Sequence, residues 1–169
     1  MNVLSEKLKF VNGTIPVADA FAAGTAVHKT DIINMENYKK CTFIIATGAT
    51  TTADGVVTVL AGADNTTCTT AIVFKYRTQI AAADCTTQGG DVPSTLTTVA
   101  VGGFAMTASK IGGLYIIEVD AAVVAAAGTN FDHIACHVAE NTDDPQTGCV
   151  IAILSEPRYP QDVLATAID

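Results

Sequence analysis

The chain contains no tryptophan, and aromatic residues make up only 6% of its 169 residues. Charge is scarce as well: charged residues account for 15% of the sequence, whereas a soluble domain usually carries about 25%. A carbohydrate or other small-molecule site would need an aromatic-lined pocket, and four tyrosines supply little for one. The low charge predicts a largely neutral surface, which favours burial of part of that surface against other chains.

Long apolar runs are also absent, and the only basic clusters are the pairs Lys7/Lys9, Lys39/Lys40 and Lys75/Arg77, which are typical of solvated strand faces. No run approaches the roughly 18 apolar residues that a membrane-spanning helix needs, and the first ten residues lack the basic-then-apolar order of a signal peptide. Nine Lys and Arg residues stand against 17 Asp and Glu residues, giving a net charge of −8, whereas DNA binding relies on clustered cations. The sequence therefore predicts neither a membrane nor a nucleic acid as a partner.

The sequence carries no common catalytic or cofactor motif. It has no G-x-S-x-G nucleophile elbow, no G-x-x-x-x-G-K phosphate loop and no C-x-x-C pair. His133 and His137 have the spacing of a helical metal site, but they fall in a predicted strand, where four residues span about 13 Å. One ion cannot bridge that distance, so we expect both histidines to face solvent or an interface. The chain is thus predicted to be no enzyme, with no catalytic, cofactor-binding or metal-binding residues.

Five cysteines are spread over the chain: Cys41, Cys68, Cys85, Cys136 and Cys149. Their odd number leaves at least one thiol without a partner in the same chain. We expect buried free thiols that pack as small hydrophobic side chains. Disulfides within or between subunits are one alternative, and a metal cluster is another.

Threonine and alanine are abundant, at 24 and 27 residues. Threonine and the other β-branched residues favour strands, and runs of them alternate here with loops rich in Gly, Asp and Pro. The predicted strands are 8–11, 41–47, 56–60, 70–78, 94–101, 114–119, 131–139 and 148–155. About eight or nine short strands with this spacing predict an all-β fold, a single-domain, jelly-roll-like β-sandwich.

Two local signals refine this prediction. Asp54-Gly55 is a tight-turn signal, so strands 41–47 and 56–60 are predicted to pair as a hairpin. Asp120 is a candidate N-cap for one short helix over residues 121–127, with Gly128 as its C′ residue.

One domain is predicted to span residues 1–169. It comprises an N-terminal strand and arm at 1–26, a core at 27–155 and an extended C-terminal tail at 156–169. The excess of apolar residues over what a monomer needs predicts a homo-oligomer or incorporation into an assembly.

Four stretches of the chain have a recognisable layout. A tyrosine precedes the first core strand in Asn37-Tyr38-Lys-Lys-Cys-Thr-Phe-Ile-Ile, and an Asp-Gly turn leads into a Val/Thr strand at Asp54. Later come Tyr-Ile-Ile-Glu-Val-Asp120 and a last strand that runs into Pro157-Arg-Tyr-Pro160. In this layout the chain resembles small capsid-associated proteins of tailed bacteriophages.

That resemblance implies a decoration, or cement, protein that stabilises the phage head through protein–protein contacts. Its partners would be the major capsid protein, copies of itself, or both, and it would be made in the host cytoplasm and reside on the capsid surface. The terminal segments would reach neighbouring subunits, so the apolar residues there are the interface candidates. These candidates are Phe10, Ile15, Val17, Phe21, Pro157, Arg158, Tyr159, Leu164 and Ile168.

Two alternative functions stay open at this stage. A tail or head–tail connector component would have similar surfaces but a different place in the particle. A carbohydrate- or ligand-binding β-sandwich would have the same fold class, with a site built around the tyrosines.

Overall fold

The computed structural model describes residues 4–16, 20, 28–48, 55–80, 92–106, 113–139, 147–159 and 164–168. A 3-10 turn at Leu4–Glu6 precedes the first strand. The strands are β1 (Lys9–Asn12), β2 (His28–Lys29), β3 (Ile33–Asn34), β4 (Tyr38–Thr47), β5 (Val56–Gly62), β6 (Thr70–Ala71), β7 (Phe74–Ile80), β8 (Thr97–Val99), β9 (Phe104–Ala105), β10 (Gly113–Asp120), β11 (His133–Ala139) and β12 (Gly148–Pro157). One helix, α1, spans Ala121–Ala127 between β10 and β11.

These strands form two antiparallel sheets with a nested order of pairing. The larger sheet has the order β1-β12-β4-β10-β7-β8, and the smaller sheet has the order β2-β11-β5-β6, with β3 on β11 and β9 on β5. The first strand pairs with the last, β2 and β3 pair with β11, β4 pairs with β10, and β5 pairs with β6. This nesting is the strand order of a jelly roll, with β7 and β8 added at one edge. The predicted all-β sandwich is confirmed.

One core fills the space between the sheets. Every second residue of β4 from Cys41 to Thr47 is buried, and the same alternation runs through β10 and β12. β5 contributes Val57 and Val59 from the facing sheet. The largest fully buried side chains are Tyr38, Phe43, Ile33, Met35, Ile45, Ile117, Ile134 and Leu154. Burial of each stabilises the fold by about 1.5–3 kcal/mol.

Helix α1 has the predicted bounds and the predicted N-cap. The Asp120 carboxylate accepts a hydrogen bond from the Ala122 amide at 2.8 Å, and Val124 is fully buried in the core. Gly128, however, is extended (φ −176°) and is not a left-handed C′ residue, so that part of the prediction is wrong. A Cβ at Gly128 would lie 2.8 Å from the Phe131 ring, so close packing explains the glycine.

The predicted hairpin between 41–47 and 56–60 does not form. β4 belongs to the larger sheet and β5 to the smaller one, because both strands bury one apolar face in the same core. The predicted strand 70–78 is also two strands. β6 pairs with β5, whereas β7 pairs with β10 in the other sheet. The sequence predicted one strand here because apolar residues continue across the break between β6 and β7, and core residues lie on either side of that break.

Two buried threonines join the sheets at one corner. The Thr14 hydroxyl accepts from the Val150 amide at 2.8 Å, and the Thr30 hydroxyl accepts from the Cys136 amide at 3.0 Å. The two segments are linked directly, because the Asp31 amide donates to the Gly13 carbonyl. Each hydroxyl therefore accepts the hydrogen bond that a carbonyl of a neighbouring strand would otherwise accept.

The C-terminal segment was expected to extend away as an arm, and its described part does not. Pro157 ends β12, opposite Tyr38 on β4. The Tyr38 hydroxyl donates to the Ala165 carbonyl at 2.7 Å, and the Asn34 amide donates to the Ala167 carbonyl at 2.8 Å. Residues 164–168 thus lie along the chain's own sandwich, with Ala167 buried, because these contacts satisfy backbone groups that an arm would leave to solvent.

Replacing Thr14 or Thr30 with valine tests the corner. Each change keeps the side-chain shape but leaves a buried strand amide without its acceptor, which costs about 1–3 kcal/mol. We expect the free energy of unfolding, measured in urea, to fall by that amount for each variant. Thr98→Val, at an exposed strand position, is the matched control and should change it by less than about 0.5 kcal/mol. Equal stabilities for all three variants would contradict the role of the corner.

Tyr38→Phe tests the docking of the tail. The variant removes the hydroxyl that holds Ala165 and should lower the free energy of unfolding by about 0.5–1.5 kcal/mol. Amide hydrogen exchange gives the local result. The Asn34 amide, which bonds to the Ala167 carbonyl, should exchange faster. The exchange rates of the core amides of β4 should change only as much as the global free energy of unfolding does. Unchanged protection of the Asn34 amide would show that the tail docks without this hydrogen bond.

Candidate interface on the outer face of the larger sheet

The larger sheet turns a second apolar surface away from the core. Strand register places its outward-facing side chains in three adjacent rows across β1, β12, β4 and β10. Apart from the polar ends Glu118 (first row) and Asn12 (second row), the rows are Phe10–Ile153–Thr42, Ile151–Ile44–Ile116 and Cys149–Ala46–Leu114. We call these nine residues the outer apolar face.

This surface departs from the usual pattern of a sandwich. Antiparallel sheets with one solvated side normally present polar residues there, yet the outward residues of β12 are Cys149, Ile151 and Ile153. Phe10 is 46% exposed and Ile151 is 38% exposed. Three rows about 7 Å apart on strands about 4.8 Å apart cover about 300 Å². A contiguous apolar patch of this size on a soluble protein often marks a contact site.

Charged residues border the outer apolar face on two sides. On β7, Lys75 lies across from Glu118, and Arg77 lies across from Ile116 in the central row. At the end of the face, Lys40 forms an ion pair with Glu156 at 2.7 Å, which raises the Lys40 pKa. A polar rim around an apolar centre is the usual anatomy of a protein–protein interface.

A shallow groove opens where the face meets helix α1. It holds about 320 Å³ and is lined by apolar side chains such as Val73 and Val123. Lys75, Glu118 and Asp120 also line it, so the groove carries both signs of charge. Among the groups that the structure describes, no three His, Cys, Asp or Glu residues come together as a metal site.

The sequence-based interface candidates are scattered over the surface. Strand register places Phe10 on the outer apolar face. Ile15, Tyr159 and Ile168 are exposed at 67%, 64% and 43%, outside the rows of this face. Leu164 is partly buried and packs against the core. The remaining candidates are Pro157, which ends β12, Arg158, which is exposed, and Val17 and Phe21, which lie outside the described residues.

The sequence analysis missed most of the outer apolar face, including Ile44, Ile116 and Ile151. A signal was present in the uninterrupted apolar runs of three strands, at 43–46, 114–117 and 149–154. Such a run means that both faces of a strand are apolar. The runs were used only to place strands, and the interface was sought in the terminal segments instead.

The two histidines do not face solvent, so the solvent half of that prediction is wrong, and the interface half stays a prediction. His133 and His137 are 7% and 8% exposed on the outer side of the smaller sheet. A small pocket there is lined by His137 and by Lys29, Thr67 and Cys68, so neighbouring segments shield this side. His133 bonds through Nδ1 to the Asp132 carboxylate. Desolvation, with a smaller contribution from Lys29, lowers the pKa of His137 to about 4.

Four cysteines fall within the described residues, and all are free thiols. Cys41, Cys68 and Cys136 are buried, as predicted, while Cys149 is partly exposed on the outer apolar face. Burial raises the pKa of Cys41 strongly and that of Cys136 to about 12. These two thiols are therefore protonated packing groups at neutral pH. Cys85 lies outside the described residues.

Comparisons with known proteins assign this chain to no family. No protein-family model matches the sequence, and no curated protein matches it. A similar solved structure is that of the SPBc2 prophage-derived protein YomS, with 11% identity, coverage of 88% of this chain and 93% of that one, and a TM-score of 0.43. A likeness this distant carries no argument, so the fold rests on strand order and register. No helix within the described residues is long and apolar enough to cross a membrane.

The shielded His137 predicts a loss of stability in mild acid. Its pKa is about 4 in the folded chain and about 6.5 when unfolded, so the unfolded chain takes up a proton first. The free energy of unfolding should therefore fall as the pH drops from about 6.5 towards 4. Urea unfolding at about pH 7.5 and pH 5 checks this: between the two, the free energy of unfolding of His137→Gln should fall by about 2 kcal/mol less than that of the wild type. Parallel losses in both proteins would contradict this assignment.

Proposed function

We propose that this chain is a structural virion protein of a tailed bacteriophage. It acts as a capsid decoration or cement protein that stabilises the head through protein–protein contacts, without catalysis. The observation that carries the proposal is the outer apolar face, because a sandwich with a complete core has no internal use for a second apolar surface.

The size of the face fits a protein that works in many copies. At about 25 cal/mol per Å², a footprint of about 300 Å² yields at most about 7–8 kcal/mol, the value for a wholly apolar and exposed surface. Association costs at least about 4 kcal/mol in lost freedom, so this face alone supports a modest affinity. Stable attachment would then need further contacts on the same partner, or copies linked so that one unit engages several sites at once.

Three of the four stretches that resemble phage capsid-associated proteins also build this face. Tyr38 to Ile45 lies in β4, and Tyr115 to Asp120 lies in β10. The run that ends in Pro157 is the second half of β12. These three strands are adjacent in the larger sheet. The resemblance therefore supports the same surface as the physical argument, and jelly rolls are a common fold of virion proteins.

Co-sedimentation with capsids purified without this chain tests the proposal. The wild-type protein should sediment with the capsids. A Phe10→Ser/Ile151→Ser double variant should bind at least about tenfold more weakly, because it removes two exposed apolar side chains from the contact. Val101→Ser, a truncation of an equally exposed residue in the turn after β8, is the control and should bind like the wild type.

Two outcomes would count against the proposal in different ways. If the wild type does not sediment with capsids, the virion function is wrong. If the wild type binds and the Phe10→Ser/Ile151→Ser variant binds equally well, the function stands but the contact lies elsewhere. Thermal unfolding of each variant shows that any loss of binding is not a loss of fold.

A further inference from the structure

The small pocket on the outer side of the smaller sheet is lined by polar side chains. It holds about 120 Å³, which is room for a few water molecules or one small polyatomic ion, because a water molecule takes up about 30 Å³. Its lining combines exposed residues, such as Lys29 and Thr69, with buried Thr30, Cys68 and His137. We call this cavity the His137 pocket.

His137 brings an imidazole to this pocket without a hydrogen-bonding partner. The residue is 8% exposed, and register places it between Lys29 of β2 and Thr58 of β5. Within the described part of the chain, no hydrogen bond or ion pair engages its ring, whereas His133 on the same strand bonds to Asp132. A buried polar group without a partner in the chain normally bonds to a water molecule or a ligand.

Two further donors line the same pocket. The Thr30 hydroxyl accepts from the Cys136 amide at 3.0 Å, so its own proton is available to donate. Lys29 adds an ammonium group, with which no carboxylate of the described residues forms an ion pair. After desolvation, the charge of Lys29 is the second cause that lowers the pKa of His137. The potential that Lys29 produces at the ring is therefore positive.

The acid in the adjoining loop does not line the pocket. The Asp64 carboxylate accepts hydrogen bonds from the amides of Thr66 and Thr67 at 2.8 and 2.9 Å, which hold it within its own loop. Burial, with a smaller contribution from Asp64, raises the pKa of Cys68 to about 11, so this thiol is protonated at neutral pH. A metal ion would need the thiolate beside the Lys29 ammonium, so the lining favours an anion over a cation.

We propose that the His137 pocket binds a small oxyanion of the size of sulfate or phosphate, held by the Lys29 ammonium, the Thr30 hydroxyl and an N–H group of the His137 ring. Three separate donors require a ligand with several acceptor atoms, which a tetrahedral oxyanion has and a chloride ion lacks. A hydrogen bond between a charged donor and a charged acceptor is also stronger than a neutral one. The pocket lies on the smaller sheet and not on the outer apolar face, so the inference does not rest on the proposed function.

Binding of the oxyanion should be coupled to protonation of His137. A bound anion favours the imidazolium form, so by linkage a lower pH must tighten binding. The groups that face the ring from other elements are Lys29, the uncharged Thr58, and Cys68 with Asp64 behind it. Cys68, with a pKa of about 11, and Asp64, with a pKa of about 2, keep their protonation states between about pH 7.5 and pH 5.

A sulfate titration of isotope-labelled protein, followed by NMR, tests the proposal. Sulfate is the probe because it keeps its double charge over the pH range used. The amide signals of Lys29, Thr30 and His137 should shift and saturate at millimolar sulfate, whereas sodium chloride at equal ionic strength, the control for screening, should not shift them in this way. The affinity should rise at least about twofold between about pH 7.5 and pH 5.

Two variants separate the specific site from a general salt effect. Lys29→Gln should weaken sulfate binding at least about tenfold, while Lys7→Gln, at an exposed position outside the pocket, should stay within about twofold. His137→Gln keeps a donor that cannot gain a proton, so its sulfate affinity should not vary with pH over the same range.

Three results would overturn the proposal. The first is the absence of saturable shifts at the pocket, or equal shifts with chloride. The second is sulfate binding that Lys29→Gln leaves unchanged. The third is a wild-type affinity that does not rise in acid, which would remove His137 from the site. Should His137→Gln unfold, the comparison of Lys29→Gln with Lys7→Gln and the pH dependence of the wild type still decide the question.

Discussion

The antiparallel register that joins β12 to β4 and β4 to β10 determines the rest of the structure. In each of these strands, successive residues point to opposite sides, and a slip of one residue would exchange the two sides. The register sends Phe43, Ile117 and Ala152 into the core and leaves Ile44, Ile116 and Ile151 outside. Both sets are apolar, so these residues do not select the register, but Lys40 and Glu118 on the same strands favour it because a slip would turn their charges towards the core.

Specific hydrogen bonds also favour this register. The hydroxyl of Thr14 bonds to the Val150 amide, and the hydroxyl of Thr30 bonds to the Cys136 amide, which ties particular residues of β12 and β11 to the corner. The tail bonds to Tyr38 at the other end of β4. These hydrogen bonds form only in one register, so they specify the sandwich. Because these hydrogen bonds fix the register, the outward positions of β12, β4 and β10 can also be apolar.

The sequence predicted local features well because local chemistry decides them. Helix α1 was found from Asp120 and the alanine run that follows, and β4 from its β-branched and aromatic residues. The hairpin between β4 and β5 was predicted wrongly, because a turn signal does not say whether the chain stays in one sheet or crosses to the other. The shielded sites of His133 and His137 depend on segments distant in sequence, such as residues 66–69 around Cys68, so alternation within β11 could not reveal them.

The outer apolar face shows the same limit at the level of function. Its residues come from four strands that span the chain from Phe10 to Ile153, and only the pairing brings them together. The sequence pointed instead to the chain termini, where exposed apolar residues are easiest to recognise. The described part of the C-terminal segment closes the sandwich, so the contact surface that we propose is the sheet.

The most direct measurement is a cryo-electron microscopy map of capsids that carry this protein. The account predicts that the larger sheet faces the capsid, with Ile44, Ile116 and Ile151 excluded from solvent. A map in which the larger sheet faces solvent, while the protein holds the capsid through another surface, would contradict it.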